Sequence, residues 1–536
     1  MPSIPKSAEL HQVLALLGKL GGSAKVQVQW IETHISWVFL TDRFAYKLKK
    51  PVRFDFVDFS TPELRRQACQ DEVRLNRRLA EDVYLEVVPM TLDAQGSLCF
   101  AGEATPCSSS EATPLDWMVK MRRLPADRSL DRLIESGTVS PDEIDRLGIL
   151  LSEFFTHAAT VSVSPHEFRS GIERHVLANA TELTREEYEF DPLQVKRICG
   201  AHLRLLRLRP ELFDARLRDG RVIEGHGDLR PEHVYLENGR AVVIDCIEFS
   251  SDLRTLDVAD ELSFLAMECD RLGAAAIGRR LIEVYQERTG DRPPAALMAF
   301  YKSYRACVRA KVTALRTQQL APAQRSASAA TCRAYLDLAD QYARQIMPPI
   351  LLVARGLMGS GKSTLAAAVS DALGLSALGT DAIRRELYPA PSQPAAYAAG
   401  IYVAADRQRV YEELFARAER LLAAGSSVVL DGTFLTNALR RKAVDAARAA
   451  GAVPLIVTCI CPEAVAMERM KKRQAKGDSL SDARPDLLAA QKRHDEPLAD
   501  DLPLLSIDAT LPLAEQLKAV ISFLPQLLPF DHLHAS

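Results

Sequence analysis

Residues 224–249 read EGHGDLRPEHVYLENGRAVVIDCIEF, with one aspartate, Asp228, in a His-Gly-Asp loop and a second, Asp245, after a short apolar run. Asn238-Gly239 in the middle is a strong hairpin signal, because both residue types tolerate the positive φ of a type I′ turn. Counting outward pairs Glu237 with Arg240, Leu236 with Ala241, His233 with Ile244 and Glu232 with Asp245. A hairpin so folded brings the end of the loop beside Asp245 and makes one polar pocket of the two aspartates.

A second polar site follows more than a hundred residues later. In MPPILLVARGLMGSGKSTLAAAVSDALG, residues 347–374, Gly356, Gly361, Lys362 and Ser363 satisfy the GxxxxGK[ST] pattern. An apolar strand precedes the loop and a helix opens at the lysine. Backbone N–H groups of Gly356, Gly359, Ser360, Gly361 and Thr364 are thus available to cradle phosphates. Lys362 is placed to bridge the terminal ones and Ser363 to hold Mg2+.

The 536 residues exceed what one hydrophobic core organises, so two to four domains are expected. A composition of 47% hydrophobic and 26% charged residues suits a chain that folds throughout. The formal net charge of −3 lacks the basic footprint of a protein gripping extended nucleic acid, and leaves small anionic ligands open. The 10 cysteines are scattered without a CxxC pattern and are expected to be buried reduced thiols. With no basic leader and no run of 18 apolar residues, the expectation is a cytoplasmic protein without a membrane partner.

Residues 26–49 read as a pair of antiparallel strands, TPELRRQACQDEVRLNRRLA as a helix, residues 85–123 as further strand, and about 140–220 and 257–346 as helical. From Pro348 the pattern changes to strands separated by helices, which marks a parallel sheet covered on both faces. Two domains are therefore expected, residues 1–345 and 346–536, with the boundary near Pro348.

Around its two aspartates the first domain resembles the aminoglycoside phosphotransferase family, within the α+β protein kinase-like fold. The resemblance implies that Asp228 is the catalytic base and Asp245 the principal magnesium ligand. Lys47, in FAYKLKK, would pair with ATP phosphates, with Glu72 as its helix partner. Ser36 would lie in the loop over the phosphates, and Val119 and Met121 at the adenine hinge. Asp257 and Asp260 would support the catalytic loop or cap a helix. Where the family has asparagine this chain has His233, a softer metal ligand. That substitution is compatible with a single-metal site, with Mn2+ in place of Mg2+, with lost catalysis, or with an imidazole that only hydrogen-bonds the loop.

The second domain, α/β with a parallel sheet, resembles the small P-loop kinases related to polynucleotide kinase, zeta toxin and gluconate kinase. In GTDAIRREL, at the end of the second strand, Asp381 would accept the acceptor's proton, while Arg384 and Arg385 would grip the substrate. Asp431, ending SSVVLD, would order the magnesium shell. Arg469 and Arg473, four apart on one helix face, would form a lid that neutralises phosphoryl charge. Together the resemblances imply two ATP- and Mg2+-dependent transfers to small hydroxyl acceptors. A sensory first half and end repair of nucleic acid by the second remain as alternatives, and the acceptors and oligomeric state stay open.

Overall fold

A computed structural model describes residues 13–17, 28–54, 57–92, 97–100, 114–388, 404–476 and 485–528. The chain condenses into two compact units that do not follow chain order: 1–162 with 216–293, and 163–215 with 294–536. The expected linear division at 345/346 falls where helix gives way to strand, but contacts assign the helices of 163–215 and 294–346 to the unit that holds the phosphate loop.

In the first unit, strands β1 (Gln29–Glu32), β2 (Ser36–Leu40) and β3 (Phe44–Lys49) form a meander, three strands where the sequence reading has two. The difference comes from turns at Thr33 and Thr41, whose hydroxyls close each corner on Ser36 and Phe44 at 2.9–3.1 Å. Two short strands, β4 (Arg53–Phe54) and β5 (Val57–Asp58), lead to the helix Pro62–Asn76, capped by the Thr61 side chain with Pro62 at its first position. With β6 (Tyr84–Leu92), β7 (Leu98–Phe100) and β8 (Asp116–Arg122) the sheet is antiparallel in the order β1-β2-β3-β8-β6-β7, and helix 62–76 packs on β6 and β8. Later in the chain, β9 (Val222–Glu224) precedes the hairpin β10 (Val234–Glu237) and β11 (Arg240–Val243). The hairpin has the expected register, Glu237↔Arg240 and Leu236↔Ala241, with Asn238 and Gly239 at φ 50° and 74°. Strand β12 (Thr255–Asp257) pairs with β9 and leads into helix Val258–Arg271.

In the second unit, β13 (Ile350–Arg355), β14 (Ser376–Gly379), β15 (Val428–Asp431), β16 (Val453–Ile460) and β17 (Leu504–Asp508) form a parallel sheet ordered β14-β15-β13-β16-β17. β13 is buried along its whole length, which is why it reads as a continuous apolar run. Helix Lys362–Leu373 follows the phosphate loop and packs against helix Pro192–Leu208. Gly200 and Gly374 make the contact close: a Cβ on Gly374 would lie 2.4 Å from the Gly200 Cα. Arg204 donates to the carbonyl of Leu373 and Arg207 to that of Ala372, so two guanidiniums satisfy carbonyls at the C-terminal end of the phosphate-loop helix. The piece LAPAQRSASAATCRA makes a turn and then enters the helix Pro322–Ile346.

Among the described residues eight cysteines are free thiols, seven of them buried, while Cys99 is disulfide-bonded and departs from the expectation. No helix among the described residues is long and apolar enough to cross a membrane.

Candidate active sites

Alternation in β3 turns Lys47 and Lys49 to one face, toward helix 62–76. Lys47 Nζ lies 2.8 Å from Glu72 Oε1 and 2.7 Å from Asp245 Oδ1. Lys49, fully buried, reaches Glu72 as well and also Glu248. Two lysines thus share one helix glutamate, and the partner of the deeper lysine is a residue three past Asp245. Enclosure works against ionisation of Asp245, and the ammonium of Lys47 more than reverses it, holding this carboxyl far below the usual carboxylate range. Burial likewise opposes the charge on Glu72, and Lys47 and Lys49 overcome it.

Asp245 sits at φ 66°, a conformation that costs a non-glycine residue about 1–3 kcal/mol and persists only where surroundings impose it. Its own amide donates to the Tyr84 hydroxyl at 3.1 Å, and the next amide, on Cys246, donates to Asn76 Oδ1 at 2.8 Å. In the His-Gly-Asp loop and the strand before it, Glu261 accepts from the amides of His226 and Gly227 at 3.0 and 2.5 Å, and Arg78 donates to the carbonyls of Glu224 and Gly225 at 2.8 Å. Of the two roles expected of Asp257, loop support or helix capping, the structure shows the second, and Glu261 holds the loop amides. Asp257 caps its helix through the Ala259 amide and pairs with Arg216. His226 donates from Nε2 to the Ile244 carbonyl at 2.9 Å and accepts at Nδ1 from the Asp228 amide, and burial lowers its pKa to about 4, so the ring is neutral.

A cavity of about 550 Å³ opens here, with Lys47, Asp228, His233 and Asp245 on its polar side and Val38, Ala45 and Met121 on its apolar side. Of the expected hinge residues Met121 lines it, whereas Val119 is buried in the core. Both residues lie on the central strand β8, Val119 between Lys47 and Val87 and Met121 between Ala45 and Tyr84, and the cavity reaches only the second of them. The lining continues instead through Arg122, Arg123, Leu124 and Ala126, beyond the strand. Ser36 starts β2 with its hydroxyl buried and without a hydrogen-bond partner, while the preceding Thr33, His34 and Ile35 line the cavity. His233 bonds the Asp228 carbonyl through Nδ1 at 2.9 Å, with Nε2 3.5 Å from Asp245 Oδ2.

In the second unit the loop between β13 and helix 362–373 has positive φ at Gly356 (150°), Gly359 (76°) and Gly361 (96°). Side chains are excluded there by close approach as well. A Cβ on Gly356 would lie 2.6 Å from Ser360 Oγ, and one on Gly359 2.7 Å from the Ala466 carbonyl. Ser360 is buried, its hydroxyl unpartnered; Lys362, Ser363 and Thr364 form the first turn of the helix, with the latter two exposed. Asp431 ends β15 opposite Ala354 of β13 and Gly379 of β14, which sets it at the sheet edge beside the loop.

Asp381 lies in the first turn of helix Thr380–Leu387, and Arg384 donates to its Oδ1 at 2.5 Å, while Arg385 is exposed. Arg469, on helix Glu463–Lys476, donates to the carbonyls of Ala509 at 2.7 Å and Ser360 at 3.4 Å. Arg473 belongs to the same helix, with its side chain outside the described residues. The orphaned Ser360 hydroxyl and a cradle that any Cβ would fill suit a phosphate chain. Beside the loop that follows Asp431 is a cavity of about 380 Å³, lined by Thr433, Thr436, Tyr411, Arg407 and Lys442.

The fold and these two sites define a fusion of an aminoglycoside phosphotransferase-like, protein kinase-like part with a P-loop kinase-like part. The AAA domain family matches residues 351–498. Protein Rv2004c of Mycobacterium tuberculosis, described as uncharacterized, is 34% identical over 408 residues, 75% of this chain and 78% of that protein, and Mb2027c of Mycobacterium bovis matches to the same extent. The chain belongs to the family of these mycobacterial proteins. Among solved structures, a choline/ethanolamine kinase family protein from Mesorhizobium loti is 14% identical at TM-score 0.36, covering 63% of this chain and 99% of that one. A gluconokinase from Sinorhizobium meliloti is 24% identical at TM-score 0.25, covering 34% and 94%.

Several supporting residues escape the sequence reading: Lys49, Glu248, Glu261, Arg78 and Arg230. Lys49 is the only one with a local signal, as it repeats the Lys47 position two residues on.

Proposed function

We propose that the chain is a bifunctional ATP-dependent phosphotransferase, each half moving the γ-phosphoryl group of ATP to a hydroxyl of a small-molecule acceptor. What carries the reading is the duplication of one set of parts: Lys47, Asp228 and Asp245 in one compact unit, and Lys362, Asp381 and Asp431 in the other. Phosphoryl transfer needs little beyond positioning and charge neutralisation, and each set supplies both.

In the first site Lys47 turns from Asp245 to the nucleotide phosphates, held in place by Glu72. The apolar side of the cavity takes the adenine ring. Asp228 accepts the acceptor's proton as its oxygen bonds the γ-phosphorus and the bond to the β-phosphate oxygen breaks. In the second, amides from Gly356 to Thr364 hold the phosphates and Lys362 bridges the terminal pair. Asp381 takes the proton, Arg384 and Arg385 face the acceptor, and Arg469 ties the lid helix to the loop. Mg2+, when bound, screens the phosphate oxygens; Asp245 in one site, and Ser363 with Asp431 in the other, offer the hard oxygen ligands it prefers.

A second reading, a sensory first half, draws support from one observation: Lys47 neutralises Asp245, and Arg230 lies 3.1 Å from Asp228, so the protein's own cations already occupy both carboxylates. Titrating the full chain with a non-hydrolysable ATP analogue separates the outcomes. Two equivalents are expected, falling to one in Lys362→Ala and to one in Asp245→Asn. Saturation at one equivalent in the unaltered chain overturns the two-site reading. Two equivalents with ATP turnover unaffected by Asp228→Asn would make the first half a sensor.

A further inference from the structure

The His-Gly-Asp loop carries a cation to which the transfer scheme assigns no task. Arg230 is two residues past Asp228, its side chain only 14% exposed, and its guanidinium touches three groups. Nε lies 3.1 Å from Asp228 Oδ1, Nη1 3.1 Å from Glu232 Oε1, and Nη2 3.2 Å from His233 Nε2. These contacts define the state of the imidazole. The Asp228 carbonyl, 2.9 Å from His233 Nδ1, can only accept, so Nδ1 bears the proton. A guanidinium can only donate, so the Nε2 lone pair is given to Arg230. That same Nε2 is 3.5 Å from Asp245 Oδ2. A lone pair and a carboxylate oxygen therefore converge on one region of the pocket; Lys47 bonds the other oxygen of that carboxylate, and the positive charge at the lone pair is Arg230.

We propose that Arg230 supplies the second positive charge of the N-terminal site, which then works with one divalent ion at Asp245 while His233 positions the guanidinium instead of ligating metal. A second divalent ion would meet a guanidinium at contact distance and a histidine nitrogen already engaged, and both oppose its entry. Arg230 leans on the base, on the metal-side histidine and on Glu232 at once, so it cannot leave without unpairing two carboxylates and the imidazole lone pair. The inference rests on the reading of this pocket as an ATP site.

The test uses the full-length protein saturated with adenylyl imidodiphosphate, with Mn2+ as the paramagnetic probe, counted by electron paramagnetic resonance. The expected result is one Mn2+ per bound nucleotide, hence two per chain, and no nitrogen-14 hyperfine coupling from imidazole. The double variant Arg230→Gln with His233→Asn is expected to take up a third Mn2+, whereas Arg230→Lys with His233→Asn, which keeps the charge, stays at two. A purely structural role for Arg230 would not separate Gln from Lys in this way. Three Mn2+ on the unaltered chain overturns the proposal, as does nitrogen coupling that disappears in His233→Asn, or an unchanged count in a double variant that still binds two nucleotides. If only one nucleotide binds, the ATP-site reading fails along with this one, and the nucleotide count reports that separately from the metal count.

Discussion

The two sites hold positive charge for phosphate in opposite ways. In the first, each cation arrives on a side chain and is already paired: Lys47 with Glu72 and Asp245, Lys49 with Glu72 and Glu248, Arg230 with Asp228. These contacts join positions up to 199 residues apart. In the second, the donors besides Lys362 are backbone amides of one short loop at a helix N-terminus, where glycines exclude side chains and the Ser360 hydroxyl has no partner. On the proposed reading, the first site must break its own Lys47–Asp245 contact to admit nucleotide and metal, whereas the second is organised in advance. Preorganisation lowers the cost of binding, so the second site is expected to bind nucleotide more tightly.

The sharpest way to break that contrast is Lys362→Ala, which removes a side chain that the backbone cradle cannot replace. Turnover at the C-terminal site should fall about 10³-fold, the scale for losing one preorganised donor to transition-state charge. The measurement is single-site ATP turnover in an Asp228→Asn background. A loss under tenfold would mean that the loop amides alone carry the phosphate.

Next in size is Glu72→Ala, which leaves Lys49, fully buried, with Glu248 alone and Lys47 with Asp245 alone. Breaking a buried ion pair from one side costs about 3–5 kcal/mol. Chemical denaturation should show that loss in the transition of the first unit, with the second unit's transition unmoved. Equal shifts in both transitions would show that the buried network is not confined to the site it serves.

The same contrast explains what is legible in the sequence. The phosphate loop is a local object, so GxxxxGK[ST] between an apolar strand and a helix marks it from one short stretch of residues. Asp431 follows from the end of an apolar run for the same reason. The hairpin register around Asn238-Gly239 is equally local, and it brings Asp228 and Asp245 together. Glu261 and Arg78 carry no such signal, because they hold the loop from positions remote in sequence. Val119 and Met121 look alike in residue order and in strand pairing, and only the packed unit shows that the cavity reaches Met121 and not Val119. The grouping of helices 163–215 with the P-loop part is likewise a matter of tertiary contact, visible only once Gly200 meets Gly374.

The neutral His226 yields a smaller, pH-dependent effect. Burial lowers its pKa from 6.5 to about 4 in the folded chain. Between those values the unfolded chain binds more protons than the folded one, so stability is complete above pH 6.5 and declines as pH falls toward 4. The decline amounts to about 3 kcal/mol at most, at 1.36 kcal/mol per pKa unit. Urea unfolding of the first unit at pH 7, 5.5 and 4.5 should show it, and His226→Asn should flatten the slope. Parallel slopes in variant and parent would remove His226 as the source.

The smallest effect is a difference between two glycines of the second unit, and it asks how firmly the phosphate-loop helix is braced. Gly374 and Gly451 have nearly the same φ, 64° and 65°, so alanine meets the same left-handed strain at either position, about 1–2 kcal/mol. Their surroundings differ: a Cβ at Gly451 meets nothing within 4 Å, while one at Gly374 would sit 2.4 Å from the Gly200 Cα, where only backbone could yield. Subtracting the Gly451→Ala destabilisation from that of Gly374→Ala therefore cancels strain and isolates the helix contact, an excess expected at about 1–3 kcal/mol on the scale of overpacking. Arg204 and Arg207 bond the carbonyls just before Gly374, so displacing helix 192–208 should also loosen helix 362–373. Gly374→Ala should then weaken analogue binding at the phosphate loop, and Gly451→Ala should not. Equal effects of the two substitutions on stability and on binding would show that helix 192–208 rests against the P-loop part without bracing it.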